Sequence, residues 1–180
     1  YMDVFDVCNE KSLGNFSEVI NFTKIKDRTD IKSIFNPSLL LCPSSIMYKY
    51  EKIPVNGLDT RLKYWYDFLF IAEVLINGDL GYINEVLGSY KLHNANTSQS
   101  EDMHELGLEN ALLAYSILIA KYPELYSLIK RRRTATYVAK TLECIQSGDI
   151  KRARDLSKIL MAEGSFFKGL IMRILLNILN

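Results

Sequence analysis

The 180-residue chain has few of the residues that mark specialised protein classes: three cysteines, four prolines, nine glycines and two histidines. So little glycine and proline excludes a collagen-like repeat and a low-complexity chain. The three cysteines are far apart and form no C-x-x-C pair, which argues against a disulfide scaffold or a metal cluster and indicates a reducing compartment. With 48% hydrophobic and 24% charged residues, the composition is that of an ordinary globular domain.

Long apolar runs and the common catalytic motifs are also missing from the sequence. The chain has no run of about 18 apolar residues that could span a bilayer and no signal peptide at its start. It has no G-x-G-x-x-G, no P-loop and no G-x-S-x-G, which excludes the common nucleotide-binding folds and serine hydrolases. With only His93 and His104, an all-histidine metal site is excluded as well.

The near-neutral net charge conceals two regions of opposite charge. Residues 1–120 contain 10 Lys/Arg and 16 Asp/Glu, a net charge of −6, whereas residues 121–180 contain 12 and 5, a net charge of +7. A basic final third can attract an anionic membrane surface or nucleic acid, or can be an ordinary solvated helical face. Because no nucleic-acid-binding motif is present, we predict no nucleic-acid partner.

Hydrophobic spacing predicts short strands at residues 1–7, 80–83 and 86–92, and a loop at residues 9–21. From Trp65 the spacing is helical, and the helix is expected to end at Asn77-Gly78 and to be buried on most of its circumference.

The chain beyond residue 98 is predicted to be helical. A capping box at Ser98–Glu101 opens a long helix that Pro123 terminates. Further helices are predicted at 134–147 and 149–163, followed by a last helix from Ser165. This last segment is apolar but carries two basic residues. It fits both an interfacial helix on an anionic bilayer and a helix packed on the protein or on a second subunit.

Five segments, in this order, resemble family 2 glycosyltransferases: 43–49 (PSSIMYK), 57–62 (GLDTRL), Asp67 at a helix start, 78–87 (GDLGYINEVL) and 89–98 (SYKLHNANTS). In that family the second half of the GT-A domain has a Met-aromatic-basic segment, a Gly-Phe-Asp-like turn, an acidic pair opening a helix, an Ile-x-Glu-x-Leu strand and a Tyr-Arg-x-His motif. The resemblance implies an α/β fold that is mainly α in this chain. Residues 1–100 would be the C-terminal portion of a GT-A domain, and residues 101–180 a helical C-terminal extension.

The resemblance also implies roles for individual residues. Asp67 falls where the family places the catalytic base, and Tyr66 replaces the Glu of the family's acidic pair. Trp65 and Tyr66 would bind the acceptor. Lys91, where Arg is usual, and His93 would lie near the donor phosphates, and His93 would also lie near the metal.

The implied reaction is inverting transfer of a sugar from a nucleotide-sugar donor, a UDP-sugar above all, to a hydroxyl of a glycan or lipid-linked acceptor in the synthesis of cell-surface polysaccharide, lipopolysaccharide or glycoconjugates. The divalent metal, Mn²⁺ or Mg²⁺, would be bound mainly by an N-terminal half with a D-x-D motif, which this sequence lacks. We therefore expect these residues alone to be inactive. Asp59 matches the turn aspartate and is expected to be structural.

The expected location is cytoplasmic, at the cytosolic face of a membrane, and a homo-oligomer is compatible with the apolar last segment. The alternative from another class is a noncatalytic helical module that binds proteins or tethers the chain to a membrane.

Overall fold

A computed structural model of the chain describes residues 2–15, 28–35, 43–81, 83, 85–93, 95–96, 101–165 and 168–172. The chain divides into two compact units, Tyr1–Lys121 and Tyr122–Asn180. The described residues are mostly helical with a few short strands, as the sequence predicts. The predicted cap at Ser98 lies outside the described residues.

The largest sheet has three strands, β1 (Met2–Asp6), β2 (Lys11–Asn15) and β5 (Gly88–Leu92), in the order β2-β1-β5. β1 and β5 confirm two predicted strands. The prediction of a loop at 9–21 is wrong for β2, because this polar segment becomes a strand by pairing antiparallel with β1. Gly14, opposite Val4 beside an irregularity in the register, has a φ of +101° that a side chain would disfavour.

A second, two-stranded sheet pairs β3 (Arg28–Thr29) with β4 (Leu80–Gly81) in antiparallel fashion. A one-turn helix, α1 (Ile31–Ile34), follows β3 and begins with Asp30, whose carboxylate accepts the Lys32 N–H at 3.0 Å. Two 3₁₀ turns, Pro43–Ser45 and Tyr50–Lys52, precede the main helices.

Two helices form the core of the first unit: α2 (Tyr66–Ile76) and α3 (Glu101–Lys121). The predicted span of α2 is confirmed. The buried residues of α2 are distributed around much of its circumference: Leu69, Ile71, Ala72 and Leu75. The two helices pack against each other, and an ion pair between Glu73 and Lys121 (2.7 Å) joins them.

The two compact units divide after Lys121, at the end of α3. α3 belongs with the first unit because its Tyr115 is fully buried and contacts the α2 residue Phe68 edge-on. The second compact unit therefore begins at Tyr122.

The second unit contains a helical hairpin, α4 (Tyr126–Gln146) and α5 (Ile150–Ala162). α4 begins earlier than the predicted Thr134, directly after the 3₁₀ turn Pro123–Leu125. The turn between the helices is as predicted: Gly148 has a φ of +80°, and the Asp149 carboxylate accepts the Arg152 N–H at 3.0 Å.

The same termination motif recurs at the end of α5. Gly164 has a φ of +81°, and the Ser165 N–H donates to the Leu160 carbonyl at 3.0 Å. Residues 168–172 are helical again, with Gly169 buried against α5. Among the described residues, none of the helices has both the length and the apolar content needed to cross a bilayer.

Candidate functional site

The start of α2, where the sequence predicts a catalytic base, is built on an unusual backbone conformation. Trp65 has a φ of +65°, in the left-handed region, and its carbonyl accepts the Leu69 N–H at 3.0 Å to begin the helix. The Trp65 ring contacts Phe68 and Tyr115 edge-on, with centroid distances of 5.3 and 5.8 Å. The ring is thereby held between α2 and α3, so only the remaining, half-exposed part of Trp65 could face an acceptor.

A residue without any predicted role holds the approach to this helix. The side-chain oxygen of Asn110, on α3, accepts the backbone N–H groups of Lys63 and Tyr64 at 2.9 and 3.1 Å. Its amide group donates to the Leu106 carbonyl at 3.0 Å, which fixes the orientation of the side chain. Asn110 therefore anchors the segment that leads into Trp65 and Asp67 to the core of the unit.

Asp67 is half-buried in the first turn of α2, where the helix dipole favours a carboxylate. Trp65 cannot cap the helix with its side chain, and Oδ1 of Asp67 accepts one of the first-turn donors, the Phe68 N–H, at 2.7 Å. Among the described residues no hydrogen bond engages Oδ2 of Asp67. The neighbouring Tyr66 is exposed.

Tyr48, which has no predicted role of its own, faces the same part of α2. Its ring contacts Phe70 edge-on at 5.2 Å, and Phe70 lies one helical turn after Asp67 on the same side of the helix. Burial raises the pKa of the Tyr48 phenol, and the negative charge of Asp67 raises it further. The charge of Asp67 thus acts on the Tyr48 phenol, in addition to the larger effect of burial.

Lys91 and His93 lie at the end of β5, and both are exposed. Asn96 organises this end: its Oδ1 accepts the His93 N–H at 2.5 Å, and its Nδ2 donates to the Lys91 carbonyl at 3.2 Å. Nδ1 of His93 accepts the Ala95 N–H at 3.2 Å, so the neutral ring carries its proton on Nε2. His93 thus presents a hydrogen-bond donor, which suits a phosphate oxygen better than a metal ion.

The predicted site residues form two groups in the structure, one at the start of α2 and one at the end of β5. No hydrogen bond or ion pair between described residues joins Asp67 to Lys91 or His93. In the part of the chain that the structure describes, no three His, Cys, Asp or Glu side chains come together as a metal site. The predicted metal near His93 would therefore need further ligands from other residues.

Asp59 has the structural role that the sequence predicts. Its carboxylate accepts Nε and Nη2 of Arg61 at 2.9 and 2.6 Å, and it also accepts the Arg61 N–H at 3.0 Å. These bonds hold the pKa of Asp59 below its ordinary value. The carboxylate is thus engaged within its own turn, which Gly57 enters with a φ of +61°.

Comparison with known proteins adds no relative from which a role could be taken. No protein family, characterised protein or solved structure matches this chain. The glycosyltransferase hypothesis therefore depends on the order of the sequence motifs and on the chemistry of the two residue groups.

Proposed function

We propose that the chain is the C-terminal portion of an inverting, family 2-like glycosyltransferase with a GT-A domain, in which Asp67 is the catalytic base. The observation that carries the proposal is the position of Asp67. It combines the family's motif order with a half-buried carboxylate at a helix start and one oxygen, Oδ2, that no described residue engages. A general base needs an acceptor atom of this kind within reach of the hydroxyl that it deprotonates.

In the proposed reaction, Oδ2 of Asp67 takes the proton of the acceptor hydroxyl as that oxygen forms a bond to the anomeric carbon. The bond between the anomeric carbon and the donor phosphate oxygen breaks on the opposite side, and its electron pair leaves on the nucleoside diphosphate. Oδ1 stays bonded to the Phe68 N–H, which keeps the carboxylate oriented during the transfer. Displacement from the opposite side inverts the configuration of the anomeric carbon.

The β5 end would bind the leaving diphosphate. Lys91 supplies a positive charge, and Nε2–H of His93 supplies a hydrogen-bond donor, both exposed and organised by Asn96. Either contact would stabilise the charge that develops on the phosphate as the bond breaks. The implied divalent metal would add positive charge at the same phosphates, and none of the steps above depends on it.

Mutation of the base in the complete enzyme tests the proposal. Asp67→Asn should lower sugar transfer roughly 10²- to 10⁴-fold, the usual contribution of a general base, and leave binding of a UDP-sugar unchanged in calorimetry. Glu109→Gln, at an exposed position of α3, is the matched loss of one carboxylate and should retain normal transfer. Near-normal transfer by Asp67→Asn would exclude Asp67 as the base.

The helical second unit supports a second candidate function, a noncatalytic interaction module. This candidate is supported by the compact hairpin of residues 122–165, which has its own buried residues, including Ile129, Ala153 and Leu160. The two candidates differ in donor binding: a complete protein that binds no nucleotide sugar and transfers none would favour the interaction module.

A further inference from the structure

The exposed side of α5 carries a row of basic side chains. Lys151, Arg154 and Lys158 are all exposed and follow the i, i+3, i+7 spacing that places them on one stripe. Residues 150–162 contain four Lys/Arg and one acidic residue, Asp155, which pairs with Lys158 at 2.8 Å on the surface. With four basic residues and one acidic residue, residues 150–162 keep a net charge of +3 despite this pair.

Exposed aliphatic side chains lie on the next helical segment, residues 168–172. Gly169 and Met172 are buried, whereas Leu170 and Ile171 are 37% and 55% exposed. A Cβ on Gly169 would touch Met161 of α5, so the Gly169 side of the segment faces α5. Ile171, two positions further, points to the opposite side of its helix.

The basic stripe and the aliphatic side chains adjoin each other. Met161 lies seven positions after Arg154 and three after Lys158, so it continues the same stripe of α5. Because Met161 also meets Gly169, the segment with Leu170 and Ile171 lies at the end of that stripe. The second unit therefore exposes basic and aliphatic side chains on two helical segments that pack on each other, and we call Lys151, Arg154, Lys158, Leu170 and Ile171 together the basic-aliphatic surface.

We propose that the basic-aliphatic surface docks the chain onto a bilayer that contains anionic lipid. The basic residues attract the negative lipid headgroups, and the aliphatic side chains enter the boundary between headgroups and acyl chains. The exposed aliphatics favour a membrane over nucleic acid, since a phosphate backbone would use the charges and leave Leu170 and Ile171 in water. The docking is independent of the glycosyltransferase proposal.

Vesicle flotation of the 180-residue chain tests the docking. The chain should float with vesicles of phosphatidylcholine and phosphatidylserine, bind far less to pure phosphatidylcholine, and lose binding as salt is raised, because salt screens the charges. Lys151→Gln with Arg154→Gln should lower the partition coefficient roughly 25-fold, since each basic residue near such a surface contributes about fivefold. Ile171→Asp should lower it roughly tenfold or more through lost apolar burial.

Matched changes in the first unit are the controls. Lys49→Gln with Lys52→Gln removes the same charge from exposed positions, and Leu113→Asp changes an aliphatic side chain that is 38% exposed on α3. Both should float like the unchanged chain, and circular dichroism should show that every variant is folded.

Three results would overturn the docking. They are the absence of flotation with anionic vesicles at low salt, equal loss of binding in the control variants, and equal binding to neutral and anionic vesicles. Salt-sensitive binding of a DNA duplex that competes with the vesicles and is unaffected by Ile171→Asp would assign the basic stripe to nucleic acid instead.

Discussion

The side-chain oxygen of Asn110 accepts the backbone N–H of Tyr64 at 3.1 Å, and this bond links two segments 46 positions apart in the sequence. Together with the hydrogen bond that Asn110 accepts from the Lys63 N–H, this bond fixes the chain just before Trp65, where α2 begins. The position of Asp67 therefore depends on a residue of α3 that takes no part in the proposed chemistry.

Asn110→Ala should destabilise the first unit by about 1–2 kcal/mol, because the partly buried Tyr64 N–H loses its acceptor. Asn110→Asp keeps an oxygen at the same place and should retain most of the stability. Glu109→Ala, at the neighbouring exposed position, is the control for helix propensity. Urea unfolding measures all three, and an equal loss for the Asn110 and Glu109 alanine variants would contradict the anchoring role.

The local features of the fold could be predicted from the sequence because their causes are local. The apolar spacing from Trp65 to Ile76 marks α2, and Gly148 with Asp149 marks the end of one helix and the start of the next. Each of these signals acts within a few residues of the structure that it determines.

The features that were missed depend on partners distant in the sequence. β2 is a strand because it pairs with β1, although its own residues favour a loop. Tyr48 acquires a role only when its segment packs beside Phe70, and Asn110 only when α3 packs on α2. In the same way, the Trp65 ring contacts Tyr115, a residue 50 positions later that the local sequence motif does not include.

At Gly169 the helical segment 168–172 lies close against α5. An alanine Cβ there would lie 2.7 Å from the Ser157 carbonyl oxygen and 3.0 Å from the Met161 nitrogen, both backbone atoms that cannot easily move. Gly169→Ala should therefore lower the stability of the second unit by about 1–3 kcal/mol, the usual cost of overpacking. Calorimetric unfolding measures the effect.

Gly107→Ala is the matched control for Gly169→Ala. Among the described side chains, an added Cβ at this α3 position meets the Met103 side chain alone, at 3.7 Å, an ordinary contact. Because alanine is the better helix former, this variant should be more stable by up to about 1 kcal/mol. Opposite signs for the two glycines are expected, and stabilisation by both would mean that the backbone contact at Gly169 is absent.

The Asp59–Arg61 pair should make the stability of the first unit depend on pH under acidic conditions. Hydrogen bonding to Arg61 lowers the pKa of Asp59 below 3.8, so the pair stabilises the folded chain above that pH and loses its effect as the pH falls through the lowered pKa. Arg61→Gln should raise the Asp59 pKa toward 3.8 in a carbon-detected NMR titration. Arg131→Gln, an exposed arginine of the second unit, should leave it unchanged.

The coupling between Tyr48 and Asp67 can be measured without any substrate. Burial is the larger cause of the raised Tyr48 pKa and the Asp67 charge the smaller, so Asp67→Asn should move the pKa only part of the way back to 10.0. NMR titration of tyrosine labelled at the ring carbon bearing the hydroxyl reports this shift, with Glu51→Gln as the exposed-carboxylate control. Because the Tyr48 pKa is higher in the folded chain, the phenol of the unfolded chain ionises first as the pH rises. The free energy of unfolding should therefore fall as the pH rises above 10.0. An unchanged Tyr48 pKa in Asp67→Asn would separate the two side chains and remove Tyr48 from the surroundings of the proposed base.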